Sequence, residues 1–336
     1  MLPLGVPIAC GAAALLWRVV PPSHPESLSE RFVEGSLLAT VGAGLVLGVR
    51  CELGHELGRV RAVAHAAQRV LLRPLPARLD GLMIAAGQLS ATRDAAIGGD
   101  LYEAVATPYG VRIVMGDVRG HGLPAIDAVA VVLGSFREAA HDEPELAGVL
   151  RRLDRSVQRY LRERARDGAF AGEPDAQSAE EFVTVLLLEI GTDGSLSTLN
   201  CGHPWPYRLG EGVRQLAYDE PLPPLGLFPL PAELPLYRAE RLLPGEALFL
   251  HTDGAAEARN ADGDFFALEA FLTRMNLDGP LAPAAVVASV HGELLRHTGG
   301  RIADDVALLV LRSDRPRVSA QYGEEPRRPR REPSNH

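Results

Sequence analysis

Four short acidic motifs stand far apart in this chain, each beside an apolar run: Gly98-Gly99-Asp100, Gly116-Asp117-Val118, Thr252-Asp253-Gly254 and Asp304-Asp305. Carboxylates gathered with backbone carbonyls and water are what hard divalent cations such as magnesium and manganese bind. A hydrolytic centre needs several carboxylates to converge, which one helix cannot arrange and a set of strand ends can. Any single Asp-Gly pair reads more readily as a turn, because Asp and Gly are favoured turn residues. The four together, in this order, point to a metal site.

The flanking residues predict the elements that would carry these acids. Val111 to Met115 alternates and is rich in β-formers, then stops at Gly116-Asp117, so Asp117 is expected to leave a strand edge into the turn Arg119-Gly120-His121-Gly122. Ala247 to His251 predicts a strand ahead of Thr252-Asp253-Gly254, and Asp304-Asp305 precede Val306 to Leu311, an apolar run that predicts a buried strand. Ala125 to Ala140, Pro144 to Arg164 and Pro283 to Arg296 read as helices, Ser195 to Asn200 and Trp205 to Leu209 as strands. Asp167 to Ala179 is polar and Gly-rich and is expected to be a mobile loop shaping a substrate entrance.

The ordered series Ile97 to Tyr102, Gly116 to Gly122, Phe182 to Thr184, Asn200 to Pro204, Pro224 to Leu227, Thr252 to Gly254 with Glu257 to Asn260, and Asp304 to Leu308 resembles the SpoIIE-like branch of the bacterial PP2C (PPM) protein serine/threonine phosphatases. The resemblance runs from Ala66 to Arg312. It implies an α/β (α+β) class, a PP2C-like α-β-β-α sandwich of two antiparallel sheets flanked by helices, with two ions, Mn2+ or Mg2+, at one edge. On the same basis Asp117 corresponds to the carboxylate bridging both ions, the Val118 carbonyl to a backbone ligand, and Asp253 and Asp304 to ligands of the second ion. Asp100 corresponds to an acid holding metal-bound water. Asp305 is placed outside the ligand set, although the sequence leaves open which of the Asp304-Asp305 pair ligates.

The implied chemistry is in-line attack on a phosphate by a water shared between the two ions, which lower its pKa and stabilise the phosphoryl charge. No covalent phosphoenzyme is required. Cys10, Cys51 and Cys201 stand apart, and none has a setting that would activate a thiol. Eukaryotic members of the wider family carry a His two residues after the bridging Asp, where this chain has Arg119. His121 is a candidate catalytic acid for the leaving oxygen or a mere turn residue. Arg93 is a candidate phosphate contact, as guanidinium binds phosphate bidentately, or a solvated loop residue. His203 is read as structural, turning the chain between two strands.

The function so implied is hydrolysis of phosphoserine or phosphothreonine on a protein, with a phosphorylated STAS-type anti-sigma-factor antagonist as substrate. The alternative is a catalytically silent PP2C-fold binding module, against which the presence of every motif acid argues. A metal-dependent phosphodiesterase would need a basic or nucleotide-reading surface. The net charge of −9 and the lack of a basic stripe interleaved with aromatics exclude nucleic acid as an expected partner.

At 336 residues the chain accommodates one catalytic domain with extensions. The expected division is 1–50 a hydrophobic helical hairpin, 51–76 an amphipathic linker helix, 77–312 the phosphatase domain and 313–336 a disordered tail. Leu2 to Trp17 and Gly35 to Val49 are apolar runs separated by a polar Pro-rich stretch and followed by Arg50, Arg59, Arg61 and Arg69. They predict a membrane hairpin, with the enzyme at the cell membrane and facing the cytoplasm. A signal peptide lacks its basic leader here, and a hairpin packing on the enzyme or on a second copy is the other reading. Leu57, Val60, Val63, Ala64, Ala67, Val70 and Leu71 form an apolar stripe on the linker, suited to homodimerisation or to docking on the core.

Overall fold

The computed structural model describes residues 40–42, 44–52, 70–90, 98–120, 122–171, 181–217, 220–239, 241–277 and 282–315. The chain divides into two compact units, Met1–Ala66 and Ala67–His336.

Among the described residues of the second unit, eleven strands build two sheets whose strand ladders are antiparallel. One sheet has the order β1 (Arg78–Leu79), β2 (Leu82–Leu89), β11 (Val306–Ser313), β10 (Ala247–His251), β7 (Tyr207–Leu209), β8 (Val213–Gln215). The other runs β3 (Leu101–Thr107), β4 (Gly110–Val118), β5 (Val183–Ile190), β6 (Leu196–Cys201), β9 (Tyr237–Ala239). Helices α1 (Leu123–Asp142) and α2 (Leu146–Ala171) follow β4. A short α3 (Asp253–Ala256) follows β10, and α4 (Leu268–Asn276) and α5 (Pro283–His297) precede β11.

The two-residue period of a strand sorts side chains into three apolar layers. On β11, Ala307, Leu309 and Leu311 face the other sheet, packing with Leu248 and Leu250 of β10, Ile113 and Met115 of β4, and Leu186 and Leu188 of β5. The alternate residues Val306, Leu308 and Val310 pack against Leu272, Val286, Val290 and Leu294 of α4 and α5. On the far side, Val114, Val185 and Leu187 lie against Val132, Phe136, Leu150 and Leu153 of α1 and α2. The result is a helix-sheet-sheet-helix sandwich, as the sequence implied.

Arg112, on the helix-facing side of β4, is fully buried. Its guanidinium pairs with Glu189 at 2.7 Å and donates to the carbonyls of Ala140, Glu143 and Pro144. Helix ends leave carbonyls without intrahelical partners, and here one buried side chain serves those between α1 and α2. Arg137 of α1 likewise donates to Glu103 of β3 and to the Leu71 carbonyl ahead of β1.

Several expectations change. Asp117 does not leave a strand edge: β4 continues through it, and Asp117 pairs with Thr184 and Val118 with Val183. The α2 helix runs on through Ala171, over the start of the expected 167–179 loop; 172–180 lie outside the described residues. The cell-membrane location is corrected, because no described helix is long and apolar enough to cross a membrane, and most of the 1–50 hairpin lies outside the described residues. In the first unit, residues 40–42 and 44–52 are helical and carry Gly42, Gly44, Gly48, Arg50 and Glu52. Residues 1–39, and most of the linker stripe at 53–69, lie outside the described residues. At the other end Asp314 pairs with Arg78 at 3.0 Å, and 316–336 lie outside the described residues.

Candidate metal centre

The two sheets each deliver acids to one edge of the sandwich. Asp100 immediately precedes β3 and Asp117 is the penultimate residue of β4, whereas Asp253 opens α3 just after β10 and Asp305 immediately precedes β11. Strand parity gives Asp117 the same face as Ile113 and Met115, towards the second sheet. Close approach is secured by glycine. A β-carbon on Gly98 would overlap the Asp305 carboxyl, and one on Gly254 would overlap the Asp305 carbonyl oxygen.

The acids act on one another. Burial pushes the Asp117 carboxyl up to about 8, with the charges of Asp253, Asp304 and Asp305 adding to the rise and the Val118 backbone N–H opposing it. Asp100 is raised well above the usual carboxylate range, first by burial and then by Asp117, against a hydrogen bond from Thr252; Asp305 and Asp253 raise it further. Asp253 is raised by burial, then by Asp304 and Glu257. Asp117 is thus coupled to Asp100, Asp253, Asp304 and Asp305. Such a cluster costs free energy until positive charge arrives, and every donor in it is a hard oxygen, which suits Mg2+ or Mn2+. Among the described residues no three His, Cys, Asp or Glu side chains close round an ion by themselves.

Beneath the acids lies a buried polar layer. Thr252 donates to Asp100 Oδ2 at 3.0 Å and accepts from the Ala307 N–H at 2.9 Å. Thr184 accepts from the Asp117 N–H at 3.3 Å and contacts His203 Nδ1 at 3.0 Å. The Asn200 side chain braces the His203 backbone, donating to its carbonyl and accepting from its N–H, both at 2.8 Å. Burial holds His203 down to about 3, and the neighbouring His251 adds to the fall; burial also holds His251 down to about 4. Both rings are therefore neutral at physiological pH.

Along the chain, the family model of Stage II sporulation protein E (SpoIIE) matches residues 107–314. The chain belongs to the SpoIIE family. Its fold is similar to the SiaA-PP2C domain of Pseudomonas aeruginosa, at 18% identity and a TM-score of 0.57 over 79% of this chain and 98% of that one. It is also similar to a structure of the PP2C phosphatase domain and a fragment of the regulatory domain of SpoIIE from Bacillus subtilis, at 15% identity and a TM-score of 0.51 over 69% of this chain and 63% of that one. At such identities the likeness is one of fold, and the sandwich is a PP2C fold.

Within that SpoIIE-family framework, Asp100, Asp117, Val118, Asp253, Asp304 and Asp305 all lie at the same edge. Asp304 is exposed and accepts from the Asp305 N–H at 2.8 Å, while Asp305 is buried. His121 and Arg93 lie outside the described residues. Arg119 is exposed, with its guanidinium 5.2 Å from the centre of the Phe182 ring. Sequence reasoning quoted Thr252 and Thr184 within its motifs but gave neither a role of its own.

Proposed function

We propose that this chain is a metal-dependent protein phosphatase acting on phosphoserine or phosphothreonine. The observation that carries the reading is the position of Asp117: an acid inside β4, pushed up to about 8 and coupled to acids from both sheets, in a chain of the SpoIIE family. In this reading Asp117 and the Val118 carbonyl hold one ion, and Asp117, Asp253 and Asp304 hold the second. Asp305 supports them from its place against Gly98. When bound, two such cations supply an activated water and positive charge over the phosphoryl oxygens.

The residues' own contributions follow from their placement. Asp100, buried beside Asp117, accepts hydrogen bonds from water at the reacting edge and orients it. Thr184 fixes the backbone of Asp117 by its bond to that N–H, so the carboxylate is aimed between the sheets. Asp304, exposed at the rim, brings its carboxylate to the solvent-facing side, where a phosphorylated side chain of another protein would enter. A phosphorylated STAS-type anti-sigma-factor antagonist is the substrate we favour, on the family resemblance.

Hydrolysis of an aryl phosphate by the purified chain, followed by hydrolysis of a phosphoserine protein of the STAS type, tests the reading. Turnover that disappears with chelator and returns with Mn2+ supports it. A chain that binds Mn2+ and the phosphoprotein without turnover would instead be a silent binding module.

A further inference from the structure

We infer that Thr252 is a positioning residue for Asp100, fixing its carboxylate across the gap between the two sheets; this rests on the phosphatase reading above. Thr252 is the N-cap residue of α3, where a threonine hydroxyl ordinarily accepts from an N–H of the first helical turn. It makes no such side-chain cap bond. Its hydroxyl is turned aside to Asp100 Oδ2 at 3.0 Å and to the Ala307 N–H at 2.9 Å. Both Thr252 and Asp100 are buried, so neither bond is exchanged for water.

The direction of the bonds follows from the donor inventory. The amide of Ala307 can only donate, so Thr252 Oγ1 accepts there, and towards the ionised Asp100 carboxylate its single proton goes to Oδ2. Oδ2 is thereby fixed as an acceptor and tied to β10 and β11, leaving Oδ1 to serve the acid edge. Asp100 belongs to the opposite sheet, just ahead of β3, and its carboxyl has no covalent reason to hold one rotamer. A hydrogen bond between groups 152 residues apart in sequence supplies that reason. The backbone of Thr252 is held to the same neighbour, its N–H donating to the Ala307 carbonyl at 3.1 Å, so the hydroxyl has a rigid base.

The experiment compares the wild-type full chain with Thr252→Val, Thr252→Ser and Asp100→Ala, and with Asp100→Ala combined with Thr252→Val. Mn2+ affinity is measured by calorimetry, and kcat and KM with an aryl phosphate. Removing a group that orients a ligand-shell residue costs on the order of 10- to 100-fold in metal affinity or activity. Thr252→Val should weaken Mn2+ binding and lower kcat by that order with KM little changed, whereas Thr252→Ser should stay near wild type. In the Asp100→Ala background, Thr252→Val should add nothing, because contacting residues acting through one group are non-additive. Thr252→Ala replaces the valine variant should the latter fail to fold. Equal behaviour of Thr252→Val and wild type, equal damage by Ser and Val, or full additivity with Asp100→Ala would each overturn the inference. A wild-type chain that neither binds Mn2+ nor turns over substrate would overturn the phosphatase reading itself.

Discussion

Gly98 lies so close to Asp305 that a β-carbon at position 98 would occupy the space of the aspartate carboxyl. Asp305 is buried and cannot retreat into solvent, and its carbonyl is hemmed in by Gly254 on the other side. Gly98→Ala should therefore displace the Asp305 side chain and disturb Asp117 and Asp100 through it. The expected outcome is a rise of about tenfold or more in the Mn2+ concentration giving half-maximal activity, the size typical of disturbing groups behind a metal ligand. An Mn2+ titration of initial rates measures it, and a variant matching wild type would show that Asp305 is not needed in place.

Removal of the central acid should be the most damaging single change at the site. Asp117→Asn keeps the shape but deletes the charge coupled to the four other acids, so turnover of an aryl phosphate should fall to background. Asp305→Asn should be milder, since it keeps a polar oxygen behind the proposed ligands. Equal loss in the two variants, measured at saturating Mn2+, would move Asp305 into the ligand set in place of Asp304.

The raised Asp117 pKa has a stability consequence whose sign is fixed. Folding lifts this carboxyl from its ordinary 3.8 to about 8, so the metal-free protein holds a proton there that the unfolded chain gives up. Its contribution is fully present below pH ~4 and is lost as the pH rises towards 8. Melting of the chelated protein should therefore drop across that window, and less so in Asp117→Asn. Mn2+ should reverse the trend, since it binds the deprotonated acids and stabilises the folded state by mass action. A chelated protein whose melting temperature rises steadily from pH 5 to 8 would contradict the assignment.

Arg112 offers a test of the scaffold that leaves the site untouched. Arg112→Ala would strip a buried guanidinium from Glu189 and from three carbonyls between α1 and α2. Breaking a buried pair by removing one partner costs about 3 to 5 kcal/mol. Urea unfolding should show a loss of that order.

The contrast between Arg112 and Asp117 indicates what the chain reveals by itself. The strands beside the acid motifs were legible because each is a short apolar run with a clear end, and β10 coincides with the expected Ala247 to His251. The helices after Asp117 and before Asp304 were legible from their length and apolar content. The sandwich itself came from resemblance rather than from periodicity. Arg112 reads as a solvent-facing residue in an alternating strand, yet that face is roofed by α1 and α2, and no local pattern reports a roof. Asp117 was expected beyond the strand because Gly116 looks like a stop. The glycine is there instead for space, since a β-carbon at 116 would strike the Thr184 carbonyl across the ladder. The two threonines stood in the motifs without a role, because a bond between Thr252 and Asp100 exists only once the sheets have met. The apolar runs near the N-terminus matched a membrane pattern in composition, yet no described helix is long and apolar enough to cross a membrane.

The acids of this edge are divided between two sheets, Asp100 and Asp117 on one and Asp253, Asp304 and Asp305 on the other. A cation held among them is therefore also a clasp on the sandwich. Anything that slides one sheet against the other alters the affinity for the ion, and the ion resists that slide by the same factor, since coupling between two equilibria is reciprocal. Metal affinity would then be a gauge of how the two halves of the sandwich are seated.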